Sequence, residues 1–326
     1  MDQSATLGAA QAASAPASVA GAPSGGAARA RSGPVGFFFA VLRARPMFAV
    51  GYIIVLLMIL AALLAPWLAP YNPVTAAPDD YLQPPNALHW LGTDATGMDI
   101  LSRILYAPRV DLTIAILGTL ISSAIGAPLG AIVGYYEGRS AWRRALSVLV
   151  MRAADVLQAF PVFVFAIALV AVFGQSLASI IAAIAFVNIP IYLRLMRSQV
   201  LSIRGMRYVE AAFVAGASDI AILRRHIIPN AIAPALAQLS VSVGWSVLLT
   251  SGLSFVGAGV VAPTPEWGSM IATGFQNVTT GQWWPSVFPG IALGIAVFGF
   301  ALVGSSIEVL ADPAQRRLVG VKHAAG

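Results

Sequence analysis

The chain has 326 residues, 58% hydrophobic and only 10% charged, against about 25% charged in soluble domains, so composition predicts a membrane protein. The absence of cysteine excludes disulfide and thiolate chemistry. The only lysine, Lys322, follows no G-x-x-x-x-G pattern, so no phosphate-binding loop of that type is present and any ATP that drives this chain is bound elsewhere.

Residues 1–34 are mostly Ala, Ser, Gly and Pro, too poor in bulky apolar side chains to fold, and predict a disordered tail. Six apolar runs follow, each near the length that crosses a bilayer as a helix: Met47–Ala69, Leu112–Tyr136, Leu157–Phe173, Ala178–Leu195, Ile232–Val256 and Val287–Leu310. The third is the least clean; its pattern begins near Arg144, with Pro161 as a kink. The expected fold is all-α, a polytopic membrane protein with six transmembrane helices. One domain spans 35–318, and 319–326 forms a short carboxy-terminal tail.

Between the first two runs lies HWLGTDATGMDILSRILYAPRVDL. Ile100, Leu101, Ile104 and Leu105 make an apolar face, which suits either a helix on the membrane surface or one packed on the other spans. Asp94 and Asp99 lack the ligand series of a calcium loop. The three histidines, His89, His226 and His323, are far apart and show no metal-site spacing. In the second run Gly126, Gly130 and Gly134 recur every four residues and form a smooth face for close helix packing. Arg152 and Asp155 stand three apart and can pair on one helix face.

The stretch 205–230, GMRYVEAAFVAGASDIAILRRHIIPN, is a polar island among apolar runs. Tyr208–Ala215 favours helix, Gly216 suits the left-handed residue that ends one, and Ser218 or Asp219 can cap the next. Ala212 and Gly216 share a face that admits a partner closely, with Glu210 at its edge. So short a helix cannot stand alone in water and must be docked. In the fifth run Gln238, Ser242 and Ser246 share a face with Trp245 beside it. That face either lines a polar path or bonds back to its own carbonyls.

Basic residues cluster before the first run (Arg29, Arg31, Arg43, Arg45), after the second (Arg139, Arg143, Arg144, Arg152), through the central stretch, and at the end (Arg316, Arg317, Lys322). Of the arginines only Arg103 and Arg109 fall in the opposite loops, which instead carry Asp79, Asp80, Asp94, Asp99 and Glu266, with Asp111 at their edge. The positive-inside rule then puts both termini and the central stretch in the cytoplasm, and the net charge of +6 reports topology with no nucleic-acid role.

Glu210-Ala211-Ala212, Gly216 and Ile228-Pro229 resemble the EAA loop of ABC-importer permeases. Leu91-Gly92-Thr93-Asp94, Gly97, Asp99, Leu101-Ser102-Arg103 and Tyr106 resemble the stretch before the second span in the dipeptide/oligopeptide/nickel branch. Met98, Pro108, Asp111 and Glu266 depart from that pattern. The resemblance implies a type I importer permease, the C-type partner of a pair, in the bacterial inner membrane. It implies a coupling helix whose Glu210, Ala211, Ala212, Gly216 and Pro229 serve docking to a cytoplasmic ATPase, and a fifth span bordering the translocation path. It also implies two ATPase subunits holding ATP and magnesium, a second homologous permease, a periplasmic or extracellular binding protein, and surrounding lipid. Peptides are the implied cargo, with nickel, glutathione and other solutes carried by similar permeases. No cofactor or catalytic residue is expected in this chain.

The alternative is a secondary transporter or channel. The centres of the six runs lack Asp, Glu, Lys, Arg and His, which disfavours proton- or sodium-coupled exchange. A membrane enzyme finds no carboxylate pair in a span, no histidine ligand set and no base beside a serine.

Overall fold

A computed structural model describes residues 34–138 and 140–311. Outside them lie the amino-terminal tail apart from Pro34, the segment 319–326, and Arg29, Arg31, Arg139, Arg316, Arg317 and Lys322 of the topology argument. The chain divides into Met1–Phe37 and Phe38–Gly326; of the first, only the opening turn of helix α1 (Pro34–Ala44) is described.

The second unit is helical throughout its spans. Helices α2 (Pro46–Leu68), α3 (Ile100–Tyr136), α6 (Leu177–Arg204), the continuous stretch Asp219–Phe255 and α11 (Trp284–Ala311) are each long and apolar enough to cross a membrane. The sixth crossing is a pair, α4 (Ala141–Ala159) and α5 (Val162–Phe173), bent by 94°. Proline explains the bend: the residue before it is pushed out of the helical region, and Phe160 has ψ 140. The third span therefore departs from a straight helix where Pro161 marked a kink.

Side-chain caps start several helices. Asp99 accepts from Ser102 N at 2.8 Å, Ser140 from Arg143 N at 3.3 Å and Ser176 from Ser179 N at 3.1 Å. The Asp99 cap sets the start of α3 at Ile100, twelve residues before the apolar run. The face of Ile100 and Leu101 thus belongs to the first turns of a span, and the surface-lying helix is overturned by Ile100 and Arg103 being buried.

The glycine stripe performs the packing expected of it. A Cβ at Gly126 would sit 2.5 Å from Ile189 O, at Gly130 2.2 Å from Leu193 O, and at Gly134 2.9 Å from Arg197 O. Each partner lies 63 residues later, so α3 and α6 run parallel and in step, backbone against backbone. Helix α11 packs on α2 and α9, with Gly51 against Leu302 and Gly299 against Ile54. Rows of exposed apolar side chains, such as Leu56, Leu60, Leu63 and Leu64 of α2, are what a lipid-facing surface requires.

Three apolar clusters divide the core. One gathers Ile100, Trp267, Met270 and Trp284 near the start of α3. A second holds Ile114, Val170, Ile184 and Leu249. The third, at the far end of α3, joins Tyr135, Met196 and Val200 to the central stretch through Val209, Ile222 and Ile227.

Candidate functional site

The central stretch folds as helix α7 (Arg207–Val214), a sharp turn, helix α8 (Asp219–Ile222), a π-helical turn (Leu223–Ile227) and then α9 (Ile228–Phe255). Gly216 has φ +81, and the turn around it closes two bonds. Ala217 N donates to Ala212 O at 3.1 Å and Gly216 N to Phe213 O at 3.0 Å. This is the Schellman arrangement, which satisfies two carbonyls that a helix end leaves open. Ser218 caps α8 by accepting from Ala221 N. Pro229 is the second residue of α9 and follows directly on the π-helical turn.

Helix α7 has two faces. Val209 is buried, with Ala212 and Ala217 packed against the third cluster. On the other side Glu210, Ala211 and Gly216 are exposed beside Phe213 (61% exposed) and Val214 (85%), with Ile220 of α8 at 66%. Among the described residues nothing lies within 4 Å of a Cβ built on Gly216, so there is room for a close approach there. A groove of about 700 Å³ runs beside α7, lined by Arg143, Arg204, Glu210, Phe213 and Val214.

Polar ties fix this end of the molecule. Tyr135 donates to Asp219 Oδ1 at 2.8 Å. Arg204 Nη1 donates to Gly134 O at 2.9 Å and Glu137 O at 2.7 Å, which meets carbonyls at the end of α3. Arg197 grips the Glu137 carboxylate with two bonds of 2.9 Å. Asp155 pairs with Arg194 at 2.7 Å, closer than the 3.9 Å to Arg152 that the spacing suggested. Both partners are exposed enough that the pair contributes little.

The candidate pathway residues separate. Ser242 and Ser246 are buried within the chain. Gln238 donates to Ser242 Oγ at 3.2 Å, and Ser246 meets Thr119 at 3.3 Å and Asn188 Nδ2 at 3.2 Å. These polar groups join α9 to α3 and α6. Trp245 points outward and lines a cavity of about 270 Å³ with Asn188, Gln158 and Phe165. Asn188 is the residue the sequence reading missed; the signal was a lone amide in the run Ala178–Leu195. It is fully buried, and its Oδ1 finds no partner among the described residues.

At the other end of α3 the loop residues knit together. His89 Nδ1 lies 3.0 Å from Asp99 Oδ1 and Nε2 3.7 Å from Asp80. Asp94 Oδ1 accepts from Thr96 N, Thr96 Oγ1 and Met98 N. Among the described residues no group of three or more His, Cys, Asp or Glu is placed to hold a metal ion. Glu266, placed in the outer loops by the charge pattern, and Asp111, placed at their edge, are both fully buried.

Residues 126–317 match the family described as the binding-protein-dependent transport system inner membrane component, and residues 37–85 match the N-terminal transmembrane domain of oligopeptide transport permease C. The chain is 36% identical to the probable D,D-dipeptide transport system permease protein DdpC of Escherichia coli, over 84% of this chain and 89% of that protein. It is 37% identical to the dipeptide transport system permease protein DppC of Alkalihalophilus pseudofirmus, over 84% and 88%. To the glutathione transport system permease protein GsiD of Pectobacterium atrosepticum it is 37% identical, over 79% and 84%.

Proposed function

Because this chain belongs to the family of binding-protein-dependent transport system inner membrane components, we propose that it is the C-type permease subunit of an ATP-driven importer of di- or oligopeptides. It is a multi-pass membrane subunit that carries no catalytic residue of its own. Hydrolysis takes place on two cytoplasmic ATPase subunits that hold ATP and magnesium. A second, homologous permease completes the pore, and a binding protein delivers cargo to the face opposite α7. Both termini and α7 lie in the cytoplasm.

One observation carries this reading. Helix α7 presents Phe213 and Val214 outward, yet its base is tied to α3 and α6 through Tyr135–Asp219 and Arg204. An apolar face on an eight-residue helix is a docking surface, and the ties make it a lever. When the ATPase subunits close, α7 and α8 move with them. The continuous stretch Asp219–Phe255 then conveys the shift to a span, and the parallel pair α3 and α6 moves as one body. The pathway opens outward, and hydrolysis resets it. Glu210, Ala211, Ala212, Gly216 and Pro229 form and shape the docking segment. Trp245 faces the pathway, and Gln238, Ser242 and Ser246 hold the helix behind it.

The test is reconstitution with the ATPases, the second permease and the binding protein in liposomes. Peptide uptake that requires ATP is expected. Uptake by the permeases alone down an ion gradient would favour the secondary transporter instead.

A further inference from the structure

Asp111 on α3 and Glu266, which caps helix α10 (Trp267–Phe275), are both fully buried, and the Asp111 carboxyl is bonded to the backbone N–H of Trp267, the residue next to Glu266. The two are unequally served. Glu266 Oε1 accepts from Gly268 N at 2.8 Å and Ser251 Oγ at 3.3 Å, and Oε2 accepts from Ser269 N at 2.7 Å. Those donors belong largely to a helix amino terminus, which favours an anion. Among the described residues, Asp111 Oδ2 receives a single longer bond, from Trp267 N at 3.3 Å, and Asp111 Oδ1 has no donor.

Among the described residues no cation is bonded to the pair. Helices α2, α9 and α10 contain no charged residue, and α11 contributes only Glu308, near its other end. Arg103 of α3 turns to Asp94 and Pro73 O, and Arg109 reaches the carbonyls of Ala62 and Leu63. The charged residues of α6 and α4 (Arg194, Arg197, Arg204, Arg143, Arg144, Arg152 and Asp155) belong to the α7 end. There Arg197 meets Glu137, Arg194 meets Asp155 and Arg143 stacks on Tyr136. His89, Asp80 and Asp99 are engaged with one another in the loop.

Two ionised carboxylates have no hydrogen to share, and two such anions buried without a cation repel. We propose that Asp111 and Glu266 form a proton-binding site: a proton on Asp111 Oδ1 is donated to the Glu266 carboxylate and latches α10 onto α3 at the end of the bundle opposite α7. The proton is the ligand, taken from the aqueous face that the loop 69–99 borders. Removing it leaves two buried negative charges, so the latch holds at lower pH and loosens as pH rises. The inference is independent of what the transporter carries.

The experiment is infrared spectroscopy of the full chain in lipid, without cargo or nucleotide, through a pH titration. A carboxylic-acid C=O band is expected at neutral pH and is lost at alkaline pH. Asp111→Asn removes that band, and Glu266→Gln leaves it present but shifted, because the acceptor has changed. Both replacements preserve shape and can keep one hydrogen bond. Absence of any protonated-carboxyl band in the parent chain at neutral pH overturns the proposal, as does a band that neither replacement alters. In the assembled transporter, amide exchange at Gly268 and Ser269, corrected for the intrinsic pH dependence, rises at alkaline pH in the parent. It stays flat in Asp111→Asn. Failure of these readouts leaves the importer assignment untouched, since none of them involves transport.

Discussion

The Tyr135 hydroxyl donates to Asp219 Oδ1 at 2.8 Å, joining the end of α3 to the first residue of α8. The bond links the helix that packs along α6 to the segment that carries α7. A hydrogen bond to a charged group contributes about 1.5–3 kcal/mol. Tyr135→Phe keeps the buried ring and removes that bond. Amide exchange across Asp219–Ile222 should then accelerate by roughly tenfold or more, with uptake per ATP hydrolysed reduced. Unchanged exchange and unchanged coupling would show that the lever runs elsewhere.

Gly216 separates backbone strain from docking. Its φ of +81 costs an L-residue about 1–2 kcal/mol, and the space beside it is open within this chain. Gly216→Ala should fold, with a modest loss of stability and partial activity. Gly216→Trp carries the same strain but fills the partner's space. ATPase activity is expected to continue while uptake is lost. Binding-protein-stimulated hydrolysis coupled normally to uptake in the tryptophan variant would refute the docking role.

The glycine stripe can be checked against an internal control. A Cβ on Gly130 meets Leu193 O at 2.2 Å, so Gly130→Ala must push α3 from α6, at a cost of about 1–3 kcal/mol. Gly290 lies inside α11 with nothing within 4 Å of its Cβ, and Gly290→Ala should be neutral or stabilising by about 0.5–1 kcal/mol. Thermal unfolding of the two variants in detergent is predicted to move down and not down, respectively.

Behind Trp245, Ser246 bridges Thr119 and Asn188. Ser246→Ala should lower the unfolding midpoint, with about 1 kcal/mol lost and the Asn188 amide left bare. Its effect on transport should be small. Trp245→Ala reverses the pattern: packing within the chain changes little, while uptake falls several-fold. Equal effects of both on uptake would return Ser246 to the pathway.

Much of this was legible before any coordinates. The spacing of Gly126, Gly130 and Gly134 announced a face for close helix packing; that its partner is α6 came from the structure. Gly216 and Ser218 announced the turn and the cap of the central stretch, because both rest on local backbone chemistry. What escaped depended on distance along the chain. The start of α3 was hidden because its first turns carry the polar Ser102 and Arg103, whose partners are the Asp99 and Asp94 carboxylates and the Pro73 carbonyl. Asp111 and Glu266 looked like loop acids because burial by a neighbour 155 positions away leaves no local trace. The inward turn of Ser246 is answered by Thr119 and Asn188, and a polar stripe on one helix does not reveal which neighbour answers it.

The chain contains no cysteine, which makes one measurement unusually clean. Phe213→Cys places a lone thiol on the exposed face of α7, within reach of whatever docks there. In the assembled transporter, a short bifunctional thiol-to-amine crosslinker should join this position to a nucleotide-hydrolysing subunit, and ATP should change the yield. A thiol that reacts only with impermeant reagent added outside the cell, or that never crosslinks to an ATPase, would contradict the account.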